Sequence, residues 1–316
     1  NKLLVFILQC ELLIDLIFTL MSEDSTIKKS KSLLEKTLGL FELNKIDRDI
    51  YSWTGKNVGW ARIFGGQVMA QTLIAAYKTV KEDHHAHSFH SYFLRPGQMD
   101  KPIIFTVDRI RDGKSFTTRN VKAIQEGEAI FSCSISFQKY EKGFEHQIDM
   151  PDVPMPESLL TEYEIRQKIS SDIDKDLLPM FLKKRELQMK PVEEMDYLKP
   201  EKKPPYRRVW LKPEGELPED PVIHKAFLLY ASDMGLIATA NYPHGVNFLT
   251  KNIQMASLDH AMWFHKEIDF NDWLLYAIDS PASGNSRGFS RGSIYTKSGE
   301  LIASCTQEGL IRLWPE

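Results

Sequence analysis

The feature that most constrains this chain is an internal repeat. Asp108, Gly113 and Ser115 recur 171 residues later as Asp279, Gly284 and Ser286. After a one-residue slip, Arg119, Gly127, Glu128, Ile130, Ser132 and Cys133 recur as Arg291, Gly299, Glu300, Ile302, Ser304 and Cys305. Chance matching at ordinary residue frequencies gives roughly one or two identities in such a window. The nine found here imply a duplication in which each copy is long enough to build its own core. Two residues past the shared cysteine the copies part: Ile135 in the first faces Gln307 in the second.

The hydrophobic pattern gives both copies the same order of elements. Leu33 to Leu43 reads as a short amphipathic helix. Phe64-Gly65-Gly66 then introduces a mostly buried helix over Gln67 to Val80. Strand-like runs follow at Ser88 to Leu94, Ile103 to Arg111, Ser115 to Gln125 and Ala129 to Tyr140, separated by Pro96-Gly97, Asp112-Gly113 and Glu126-Gly127. In the second copy a helix is predicted over Val222 to Ala240. Strands are predicted at Asn252 to His265, Trp273 to Ser280, Phe289 to Lys297 and Leu301 to Arg312. One buried helix followed by an antiparallel meander is an α+β layout. The expected organisation is an N-terminal extension outside the core (1–31), a first domain (32–140), a charged, proline-containing connection (141–205) and a second domain (206–316).

Composition narrows the function classes. With 42% hydrophobic and 26% charged residues and a net charge of -3, the chain reads as an ordinary globular protein and not as a nucleic-acid binder. The apolar stretch from Asn1 to Leu20 is interrupted by Glu11 and Asp15, which argues against a membrane span and so against stable membrane insertion. The polar run after Met21 makes Met21 the expected natural start. Cys10, Cys133 and Cys305 form neither a disulfide framework nor a CxxC pair. A reducing compartment, the cytoplasm, is therefore expected. A peroxisome is the alternative, although Trp314-Pro315-Glu316 is no peroxisomal tripeptide.

Few motifs carry chemistry. Gly288-Phe289-Ser290-Arg291-Gly292 fits G-x-S-x-G by letter, but the repeat places it in a meander of strands, and no Asp or His follows to complete a triad. His84, His85 and His87, or His260 and His265, lack the spacing of a zinc site, so no metal or cofactor is expected. Three residues of the second copy are unusual. Asp233 interrupts an apolar helix, where a carboxylate is costly unless partnered or used. Ser257 stands where the first copy has His87, and Gln307 replaces an isoleucine. Taken singly they could be a helix-start aspartate, a surface serine and an edge-strand glutamine; their concentration in one copy argues for function.

The tracts His87-Ser88-Phe89-His90-Ser91-Tyr92-Phe93-Leu94-Arg95-Pro96-Gly97, Ala256-Ser257-Leu258-Asp259-His260-Ala261-Met262-Trp263-Phe264-His265 and Thr306-Gln307-Glu308-Gly309 closely resemble the acyl-CoA thioesterase II family. So do Phe64-Gly65-Gly66-Gln67 and Ala231-Ser232-Asp233. The similarity runs from about Ser32 to Arg312. It implies a tandem hotdog fold, in which a long helix in each half is wrapped by an antiparallel sheet and the two sheets join edge to edge. It also implies hydrolysis of fatty acyl-CoA to free acid and CoA, with Asp233, Ser257 and Gln307 as the catalytic set and a homo-oligomeric assembly. Asp233 is the expected base, with Ser257 and Gln307 orienting the attacking water. Hydration or dehydration of acyl thioesters, and non-catalytic acyl-CoA binding, are the competing readings. Met69, Phe116, Met234 and Phe289 are the expected determinants of pocket depth.

Overall fold

The computed structural model describes residues 31–55, 62–195 and 197–315. The expected N-terminal extension up to residue 30, with Met21 and Cys10, lies outside the described residues. In the first repeat, helix α1 (Leu33–Leu40) precedes strands β1 (Asn44–Asp47) and β2 (Ile50–Trp53). Helix α2 (Gly65–Tyr77) follows, then strands β3 (His85–Phe93), β4 (Ile103–Asp112), β5 (Phe116–Gln125) and β6 (Glu128–Gln138). The connection carries helices α3 (Glu162–Lys168) and α4 (Leu178–Phe181) and strand β7 (Leu187–Pro191). The second repeat comprises β8 (Tyr206–Pro213), helix α5 (Pro221–Ser232), a 3-10 helix (Ile237–His244), β9 (Ile253–Ser257), β10 (Asp259–Phe264), β11 (Leu274–Gly284), β12 (Arg287–Thr296) and β13 (Leu301–Leu313).

The thirteen strands among the described residues belong to one antiparallel sheet, ordered β1-β2-β4-β5-β6-β3-β10-β13-β12-β11-β8-β7, with β9 also pairing β13. The order reads the same from its centre outward. β3 meets β10 at the joint, with His260 opposite Ser91 and Met262 opposite Phe89. Each half of the sheet wraps one helix, which is the expected tandem hotdog. Helix α2 is buried from Gly66 to Ala76 and α5 from His224 to Ser232. Each fully enclosed leucine, such as Leu73, Leu228 or Leu229, contributes about 2 kcal/mol through burial. The two helices also pack on each other, so one apolar core runs through both halves.

Two expectations change here. The single helix predicted from Val222 to Ala240 stops at Ser232, because Asp233 caps it and Gly235 takes the left-handed φ of +81° before a 3-10 helix resumes. The repeat also aligns differently in space than by letter. Cys133 pairs with Val121 and Cys305 with Gly292, so Arg119 and Ser290, each two residues earlier on its strand, are counterparts. The one-residue slip lies in the β12–β13 turn. Arg119 points inward and is fully buried, whereas Arg291 is exposed and pairs with Asp279 at 2.5 Å; the identity of the two arginines is a coincidence of letters.

Candidate active site

Helix α2 begins unusually. Its N-cap, Phe64, has no side chain able to accept a hydrogen bond, and Gly65 and Gly66 form its first positions. The missing cap comes from the other repeat: Asp233, at the C-terminal end of α5, accepts the Gly66 N–H through Oδ2 at 2.9 Å. The first turn of a helix favours a carboxylate through its free N–H groups and its dipole. Glycine is needed for the approach, since a Cβ on Gly66 would lie 2.4 Å from the Tyr230 carbonyl oxygen.

Asp233, Ser257 and Gln307 come together. Gln307 Nε2 donates to Asp233 Oδ1 at 2.7 Å and to Ser257 Oγ at 3.1 Å, and Ser257 Oγ lies 3.4 Å from the same carboxylate oxygen. Asp233 ends a helix instead of starting one. Ser257 is half-buried where β9 breaks to β10, and Gln307 is fully enclosed on an interior strand. None of the three occupies the ordinary structural position its residue type allows.

Sequence reasoning missed a second layer. His260 Nε2 is 3.0 Å from Ser232 Oγ, which donates to the Leu229 carbonyl; His260 Nδ1 is 3.4 Å from Gln307 Nε2. Ser232 Oγ spends its one proton on the Leu229 carbonyl, so it accepts from His260 Nε2; the ring proton sits there and Nδ1 is left as a bare acceptor facing the carboxamide. Burial lowers the His260 pKa to about 3, so the ring stays neutral. Tyr276 Oη donates to the Ser232 carbonyl at 2.9 Å and contacts Cys305 Sγ at 3.0 Å. The available signal was positional: His260 takes the place of Phe89, an apolar ring replaced by a polar one.

The electrostatics single out Asp233. Burial raises its pKa above the ordinary 3.8, and the donors Gln307, Gly66 and Ser257 oppose that rise. The result is a carboxylate more basic than one in water and held by three donors. The thiol of Cys305 is pushed up to about 12 by burial, which leaves it protonated and unreactive.

Among the described residues the first repeat has nothing equivalent. Helix α5 is capped locally by Asp220, whose Oδ1 accepts the Val222 N–H at 2.9 Å. Where Ser290 stands in the second half, Arg119 fills the space and donates to Thr79 Oγ1, the Thr79 and Arg111 carbonyls and Asp112. Ile135 and Phe89 complete that row.

Comparison with known proteins decides the family. The acyl-CoA thioesterase family matches residues 179–310, and the acyl-CoA thioesterase N-terminal domain matches residues 55–138. The chain is 39% identical over 280 residues to acyl-CoA thioesterase 2 of Haemophilus influenzae, covering 89% of this chain and 98% of that one. This chain belongs to the acyl-CoA thioesterase family. It is also 37% identical to human acyl-coenzyme A thioesterase 8, over 90% of this chain and 91% of that one. Among solved structures, acyl-CoA thioesterase II TesB2 from Mycobacterium marinum shares 36% identity with a TM-score of 0.72, covering 88% of this chain and 98% of that one. A hot dog fold protein from Alicyclobacillus acidocaldarius, at 15% identity and TM-score 0.70 over 89% and 99% of the two chains, shares the fold.

Past the end of α5 in this family member a cavity of 190 Å³ is lined by Met234, Met255, Met189, Met195, Ala238 and Phe248 and also by charged side chains, Glu162, Arg185 and Arg207 among them; Asp233, Ser257 and Gln307 do not line it. Met234 follows Asp233 in sequence, and Met255 shares a face of β9 with Ser257. Of the four residues expected to set pocket depth, only Met234 lines this cavity. Met69 is enclosed in the core, and Phe116 packs edge-on against His87 at 5.8 Å. Among the described residues no cluster of His, Cys, Asp or Glu could hold a metal ion, and no helix is long and apolar enough to cross a membrane.

Proposed function

We propose that this chain hydrolyses fatty acyl-CoA thioesters to free acid and CoA, with Asp233 as the general base. The observation that carries the reading is the Asp233 carboxylate held by donors from both repeats: the Gly66 N–H, the Gln307 carboxamide and the Ser257 hydroxyl. A thioester carbonyl is already electrophilic, so the reaction needs a deprotonated water in line with the carbon. Asp233 takes a proton from that water as the C–O bond forms. The C–S bond then breaks, and the proton passes to the departing CoA sulfur. Ser257 receives a hydrogen bond from Gln307, turns its own proton to Asp233, and keeps a lone pair with which to hold the water. No covalent acyl-enzyme is involved.

His260 does not supply the Asp–His pair of a hydratase, because Gln307 stands between it and Asp233 and both its nitrogens are engaged. We assign the acyl chain to the apolar side of the cavity, where Met234, next in sequence to Asp233, stands with Met255 and Ala238. We further place the protein in the cytoplasm as a homo-oligomer, in keeping with the free, buried thiols of Cys133 and Cys305 and with the family resemblance. Asp233→Asn tests the reading. Asn retains an acceptor for Gly66 but cannot take a proton, so thiol release from a saturated acyl-CoA should fall by about 10²–10⁴-fold with the fold intact. Full activity in that variant would overturn the assignment.

A further inference from the structure

The run Gly288 to Gly292 is strand, with Gly288, Ser290 and Gly292 all facing inward. A Cβ on Gly288 would meet Ala240 and Ile311 at 2.6 Å, and one on Gly292 would meet the Tyr276 ring at 2.2 Å, so packing accounts for both glycines. It does not account for the serine between them. Ser290 lies directly opposite Gln307 across β12 and β13, so the two side chains leave the same face of the sheet with Cβ atoms about 5 Å apart. Both residues are fully buried, and Ser290 Oγ and Gln307 Oε1 each lack a hydrogen-bond partner. The orphans are complementary, since a hydroxyl donates and an amide oxygen accepts. Each alone is costly in the interior.

Their geometry is directional. Gln307 Nε2 is turned toward Asp233, Ser257 and His260. His260 flanks Gln307 from β10, one position beyond the last β10–β13 pair, Ala261 with Thr306. Ser290 flanks it from the opposite side, where the oxygen end of the amide must lie. The first repeat carries Arg119 over Ile135 at this cross-strand pair, so both members differ together between the repeats.

We propose that Ser290 is a positioning residue, whose hydroxyl donates to Gln307 Oε1, directly or through one water, and keeps the NH₂ end of the carboxamide on Asp233. The inference rests on the reading of Gln307 as part of the catalytic set. Without the serine the amide can turn over and present its oxygen to the carboxylate. That repulsion disfavours ionised Asp233 and moves the base to higher pH.

The test is Ser290→Ala, alone and combined with Gln307→Leu, assayed by thiol release from a saturated acyl-CoA across pH. The single variant should lower kcat about tenfold with KM within about twofold, and the acid limb of the profile should move upward. Added to Gln307→Leu, it should cost nothing more, because the group it positions is gone. An unmoved acid limb, or a loss of equal size in both backgrounds, would make Ser290 a packing residue and overturn the proposal. Should Ser290→Ala fail to fold, Ser290→Gly, which also removes the donor, is read by the same criteria. Full activity in Gln307→Leu would overturn the reading of Gln307 itself and this proposal with it. An inactive Gln307→Leu beside a wild-type Ser290→Ala would overturn the role of Ser290 alone.

Discussion

The backbone N–H of Gly66 in one repeat is hydrogen-bonded to Oδ2 of Asp233 in the other, 167 residues away, at 2.9 Å. The end of α5 therefore caps the start of α2. A residue that would be a liability inside an apolar helix becomes the partner of another helix's unsatisfied first turn.

Gly66→Ala should damage this joint. The added Cβ would sit 2.4 Å from the Tyr230 carbonyl oxygen, a backbone atom that cannot swing aside. Overpacking of this kind costs about 1–3 kcal/mol, so the melting temperature should drop, and kcat should fall with it as Asp233 is displaced. A melt and a thiol-release assay on the same preparation check both.

The pH profile follows from the burial of Asp233. With Asp233 as the proposed base, activity requires the ionised carboxylate, so the acid limb of kcat/KM should lie above the ordinary aspartate value of 3.8. For stability the sign is opposite to that of an ion-paired aspartate. A raised folded-state pKa means that the folded chain binds the proton more tightly. The contribution is fully present below the unfolded value and is lost as pH rises through the folded one. Asp233→Asn should therefore melt at the same or a higher temperature at neutral pH.

His260 should not titrate near neutrality. Its pKa is lowered to about 3, so its ring resonances should stay fixed between about pH 5 and 8, where an unperturbed histidine would move. A Cε1–H chemical-shift titration measures this directly. His260→Phe, which restores the residue type of Phe89 in the first repeat, should fold and lower kcat by roughly tenfold through the freed carboxamide.

Ala238 lines the methionine-walled cavity. If the acyl chain enters there, Ala238→Phe should fill much of the 190 Å³ and shift preference toward shorter chains. The ratio of kcat/KM for long over short saturated acyl-CoA should fall by on the order of tenfold, since each excluded methylene is worth about 0.8 kcal/mol. An unchanged ratio would remove the cavity from the acyl path.

Much of this arrangement was legible in the sequence, and the remainder failed for identifiable reasons. The duplicated meander could be read because its strands are long, alternate in polarity and end in Gly-containing turns. Asp233 and Gln307 stood out because a carboxylate and a carboxamide replaced expected apolar positions. His260 did not, since a histidine on a strand is unremarkable until its neighbour across the sheet is known. The equivalence of Arg119 with Ser290 was hidden because one residue is inserted in a turn, and letter matching placed the slip on the wrong side of β12. The short strands β1, β2 and β7 lacked a period long enough to recognise.

Arg119 gives the twofold plan its asymmetry. By seating its guanidinium on Thr79 and Asp112 it fills the corresponding position of the first repeat, so on the proposed reading a chain with two scaffolds carries one working centre. One copy is thereby released to evolve as an anvil, which presents a helix tip to its twin. Neither copy, separated from the other, would retain the complete set of contacts around the Asp233 carboxylate.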